Sequence, residues 1–153
     1  MPSHTERQIL PYNPQQMFDL VADVEHYPDF LPWCSNARIL ERRERELLAE
    51  LTISFKHFSE SYVSRVIFKR PENESSEGSL DVNMVKGPFE RLVNHWQFNP
   101  RDGGGCEVDF SLDFKFRSLI LEKLIGALFG KATEKMVSAF RSRADTLYGR
   151  GKL

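Results

Sequence analysis

Cysteine is scarce in this chain: Cys34 and Cys106 are the only two in 153 residues, far apart and in no metal-ligand spacing. That usage speaks against a cysteine-built metal site and fits a reduced, intracellular protein. No stretch approaches 18 uncharged apolar residues, which excludes a spanning helix. The N-terminal MPSHTERQILPYN lacks an apolar run of signal-peptide length, so a cytoplasmic protein is expected. Neither sign of charge is in excess. With 21 basic and 22 acidic side chains, no global field draws nucleic acid, membrane or an acidic ligand, although local patches stay open. Catalytic signatures are missing as well. There is no GxSxG elbow, and His4, His26, His57 and His95 are scattered without an HExxH or CxxC pattern. No metal and no enzymatic activity are expected. Without a repeat or linker, residues 1–153 read as one domain.

Aromatic residues, in contrast, are plentiful, and twelve of them are Phe. Such a load either fills an interior or builds one around something apolar. A strand is predicted around Thr5–Leu10, then a helix in NPQQMFDLVADV, with Asn13 as its cap and Pro14 at the first helical position. YPDFLPWC, residues 27–34, breaks that helix, because the residue before each proline is pushed out of the helical region. Phe30, Leu31 and Trp33 are left without a regular repeat, as a core plug, a docking patch or the lip of a pocket.

From Ala37 the period becomes two. Leu47, Ala49, Leu51, Ile53 and Phe55 share one face, as do Tyr62, Ser64, Val66 and Phe68. Leu80, Val82 and Met84 alternate, and so do Leu92, Asn94, Trp96 and Phe98. The cleanest set is Cys106, Val108, Phe110, Leu112, Phe114 and Phe116. This predicts an antiparallel meander with one covered face. RDGGGC precedes a strand, not a helix, so it reads as a hairpin turn and not a phosphate loop. Roughly Leu119–Leu147 is predicted as one long helix, with Leu121, Leu124, Ile125, Leu128, Ala132, Met136 and Phe140 at helical spacing. Lys135, Arg141, Arg143, Arg150 and Lys152 near its end complement the helix dipole, or meet RNA or anionic lipid.

One rod about 10 Å wide covers a wide sheet only if the sheet curls. Curling leaves space, filled by side chains or by a ligand; Gly126 and Gly130 keep the helix thin there, for close approach or for spare room. Ser64 and Asn94 are polar at inward positions, where an unpaired group costs about 1–3 kcal/mol. Either water and backbone satisfy them or, with Tyr62, they meet the polar head of a bound molecule.

YPDFLPWC, GPFERLVNHWQF, CEVDFSLDFKFRS and GKATEKMVSAFRSRADTLYG together resemble the START-like family that contains the mitochondrial coenzyme Q-binding proteins and the bacterial ribosome-association toxins. The likeness runs over nearly the whole chain. It implies an α+β helix-grip fold: a curved antiparallel sheet around a long C-terminal helix, with two short helices after the first strand. It also implies an internal cavity for ubiquinone or a related polyprenyl lipid, carried as a bound ligand in support of respiration, with no separate cofactor. Phe30, Leu31 and Trp33 would then flank the entrance and Trp96 its wall. The inward-facing Phe110, Leu124, Leu128 and Met136 complete the expected ligand-binding set with Tyr62, Ser64 and Asn94. A lip of this kind would touch the inner-membrane surface transiently, and Phe30→Asp or Trp33→Asp should cut lipid loading with the fold intact. The toxin branch implies the large ribosomal subunit as partner instead, and neither branch implies DNA. The broader superfamily holds cyclases and dehydrases, but no acid/base pair in this sequence supports that chemistry.

Overall fold

Alternating residues need a sheet with one dry face, and the computed structural model, which describes residues 3–55 and 58–149, has it. His57, Arg150 and Lys152, named above, lie outside the described residues. The strands are β1 (Ser3–Leu10), β2 (Cys34–Arg42), β3 (Glu46–Phe55), β4 (Phe58–Lys69), β5 (Gly78–Lys86), β6 (Phe89–Pro100) and β7 (Cys106–Phe116). They form an antiparallel sheet in the order β1-β7-β6-β5-β4-β3-β2. Strands β2 to β7 are a meander, and β1 closes the other edge against β7. Between β6 and β7 the turn takes φ of +85°, +104° and +87° at Gly103, Gly104 and Gly105, which side chains would resist.

On the concave face, the whole inward set of β7 from Cys106 to Phe116 is buried. The wet face carries cross-strand pairs, such as Arg7 Nε to Asp109 Oδ1 at 2.6 Å and Arg38 Nε to Glu50 Oε1 at 2.6 Å. Exposed pairs of this kind contribute about 0–1 kcal/mol each, so burial of the other face dominates.

Helix α1 (Pro14–Ala22) starts on a capping box in which the Asn13 and Gln16 side chains each accept the other's backbone N–H at 2.9 Å. A 3-10 turn over Val24–Asp29 takes up the start of the octapeptide, with Pro28 inside it, and Cys34 already belongs to β2. The long helix is in fact two: α2 (Leu119–Glu134) and α3 (Met136–Ala144), broken at Lys135 (φ −100°, ψ 4°). Just before the break the Thr133 hydroxyl donates to the Gly130 carbonyl at 2.8 Å, a back-bond that bends helices.

Each helix drives one phenylalanine into the sheet. Phe129 of α2 sits 4.8 Å from Phe114, 5.4 Å from Phe89 and 5.8 Å from Trp33, centroid to centroid. Phe140 of α3 sits 4.9 Å from Trp96, 5.0 Å from Phe30 and 5.2 Å from Tyr27. Aromatic pairs of this kind add about 0.5–1.5 kcal/mol beyond the burial itself. Because Ile125, Phe129 and Thr133 take the inward side, the neighbouring stripe is turned away. Leu124 and Leu128, expected in the core, are 64% and 49% exposed.

Candidate functional site

Phenylalanine side chains fill most of the space the curl leaves. The interior void between sheet and helices is only about 40 Å³, lined in part by Tyr62, Ser64, Asn94, Thr133, Trp33 and Met136. Such a space holds a water or two, not the ring of a lipid. The expectation of an internal cavity that holds the lipid is therefore corrected: the two aromatic clusters occupy that space. Asn94 is engaged at both ends of its amide, donating to the Ser111 carbonyl at 2.8 Å and accepting from Trp96 Nε1 at 3.0 Å. Ser64 is fully buried and its hydroxyl has no partner among the described residues. Around Gly130 there is open space, so that glycine provides room and not backbone contact.

The larger space lies outside. A groove of about 740 Å³ runs between residues 29–33 and the C-terminal helices, a volume within the range of small-molecule sites. One wall is Phe30, Leu31, Pro32, Trp33 and Phe55; the other is Leu128, Ala132, Met136 and Ala139. Lys131, Lys135, Arg143 and Asp29 add charge to the lining. Arg143 reaches Asp29 at 3.8 Å and holds its guanidinium 5.3 Å over the Phe30 ring. Its Nε is buried without a partner among the described residues, and so is Trp33 Nε1. Both atoms can only donate.

The expected site residues divide. Phe30, Leu31 and Leu128 line the groove; Tyr62, Ser64 and Asn94 line the void. Trp33 and Met136 line both and form the partition between them. Trp96 and Phe110 line neither space: they pack on each other at 4.8 Å within the core. Leu124 lines neither and faces out. Leu31 and Trp33 are buried, so they offer no free lip to a membrane, and Trp33→Asp would place a charge in the core. Sequence reasoning missed Ala132, Ala139, Ser138, Ser142 and Arg143 as a site. The available signal was small residues at helical spacing, which leave a trough beside a bulky segment.

Burial pushes the Cys34 and Cys106 thiols up to about 12 and raises the Tyr27 and Tyr62 phenols as well. None is poised for acid/base work near neutrality. Among the described residues no group of three His, Cys, Asp or Glu converges on a metal-sized site. No helix of the described residues is long and apolar enough to cross a membrane.

The architecture is that of START-type proteins: a START superfamily protein from Mycobacterium smegmatis superposes with a TM-score of 0.73 at 15% identity, covering 95% of this chain and 98% of that one. The family model described as polyketide cyclase / dehydrase and lipid transport matches residues 10–141, and the chain belongs to that family. The ribosome association toxin RatA of Rickettsia prowazekii is 46% identical over 144 residues, covering 94% of this chain and 97% of the relative. The mitochondrial coenzyme Q-binding protein COQ10 homolog B of Xenopus laevis is 32% identical over 150 residues, 96% of this chain and 59% of the relative.

Proposed function

We propose that this chain binds a polyprenyl lipid of the quinone class in the outer groove and carries it without catalysing a reaction. The groove supports this: it is largely apolar, and the buried polar atoms along it that have no partner among the described residues are donors, on Trp33 and Arg143. An isoprenoid tail suits the apolar walls. A quinone carbonyl, which only accepts, suits the two donors. Each buried CH2 contributes about 0.8 kcal/mol, so a few isoprene units outweigh the ordering cost. A head group reaches Tyr62, Ser64 or Asn94 only when Trp33 and Met136 swing aside. The Xenopus relative's name and the lipid-transport part of the family description point the same way. Cyclase or dehydrase chemistry is less well served, because the void's lining carries no carboxylate and no histidine among the described residues. Organic extraction of natively purified protein, followed by mass spectrometry, tests the reading. A polyprenyl quinone near one per chain is expected; protein free of any isoprenoid would sink it.

A second reading, association with the ribosome through its large subunit, has its support in the Rickettsia relative's name, which gives ribosome association, and in Lys131, Lys135, Arg141 and Arg143 on and between the C-terminal helices. Cosedimentation with that subunit, lost on Lys131→Glu with Lys135→Glu, would favour it.

A further inference from the structure

We propose that α2 is an interfacial helix whose outward face docks this protein on an anionic lipid bilayer. Leu119, Ile120, Leu124 and Leu128 are 80%, 71%, 64% and 49% exposed. The last three are four residues apart and form one stripe, on a helix that already buries Ile125, Phe129 and Thr133 against the sheet. A helix apolar on its solvent side has a second surface to cover.

The charges beside the stripe say what covers it. Lys123 and Lys131 are exposed on the helix, Lys135 is exposed at its C-terminal break, and Arg117 precedes it. Among the described residues none of the three lysines has an ion-pair partner, whereas Arg7, Arg38, Arg65 and Arg91 on the sheet are all paired. Of the two acids in α2, Glu122 folds its carboxylate over Gly126 and leaves only Glu134 exposed. RNA would use the lysines and leave the leucines wet. A second copy would cover the leucines but bring like charges together. An anionic bilayer takes both, the apolar stripe entering the acyl boundary and the lysines meeting the headgroups. Leu128 belongs to the stripe and to the groove wall, so the docked face runs into the lipid site.

Docking deepens the lipid-carrier reading, yet its test needs no bound ligand. Purified full chain is floated with vesicles of phosphatidylcholine alone or with added phosphatidylglycerol. Binding to the anionic vesicles that falls with salt is expected, weakened about fivefold by each of Lys123→Gln, Lys131→Gln and Lys135→Gln. Ile120→Glu with Leu124→Glu, at exposed positions outside the groove, should lower it at least tenfold while circular dichroism and groove occupancy stay as in the unaltered chain. Equal binding to both vesicle types, or a double variant that binds like the unaltered chain, overturns the proposal. So does a dimer, or a complex with ribosomal subunits, that the double variant dissolves without any vesicle binding. A chain that floats with vesicles yet carries no isoprenoid would sink the groove reading alone.

Discussion

Trp33 and Met136 have the interior void on one side and the groove on the other. On the inner side Phe89, Phe114 and Phe116 from the strands meet Phe129 from α2, and about 40 Å³ is left. On the outer side Ala132, Ser138, Ala139 and Ser142 face an equally bulky segment, and about 740 Å³ stays open. Apolar side chains make up much of the wall in both. What differs is side-chain size on the helix, so a single broken helix both seals the core and supplies a binding trough.

The most severe break of that contrast is to open the inside. Phe129→Ala should cost about 3–5 kcal/mol in denaturant unfolding, since its ring touches four other aromatics; a loss under about 1 kcal/mol would mean that the interior is not packed as described. Closing the outside is the converse. Ser138→Trp on the groove wall should weaken quinone binding roughly tenfold, about 1.4 kcal/mol, with unfolding free energy unchanged within about 0.5 kcal/mol. Ser64→Ala removes an unpaired buried hydroxyl and should leave stability equal or up to about 1 kcal/mol higher. A clear destabilisation would instead reveal a bridging water in the void. The smallest effect lies at the 3-10 turn, where His26 Nδ1 sits 2.8 Å from Asp23 Oδ2. That hydrogen bond and charge raise the imidazole pKa above its ordinary value. The pair's contribution is thus complete below the unfolded histidine's pKa and lost as pH rises through the raised one. An NMR titration should show the raised midpoint, and Asp23→Asn should return it.

Strand alternation was legible because burial has a period of two and every inward residue of β7 obeys it. The capping box at Asn13 was half legible: the cap and Pro14 stood out, Gln16 did not. The helix break was hidden, since no proline or glycine occupies Lys135 and the Thr133 back-bond leaves no mark in periodicity. Two stripes, Ile120/Leu124/Leu128 and Ile125/Phe129/Thr133, repeat at the same spacing. Periodicity alone does not say which faces the sheet, and so Leu124 and Leu128 were assigned inward. The groove was illegible for a related reason: small side chains announce space only once their opposite wall is known.

Intermolecular NOEs between a short-chain ubiquinone and the methyl groups of the full chain test the central claim most directly. Contacts to the Ala132, Ala139 and Leu128 methyls, with none to Val66 or Leu80, are the expected result. Contacts to Val66 and Leu80 instead would place the ligand inside an opened core and contradict the account.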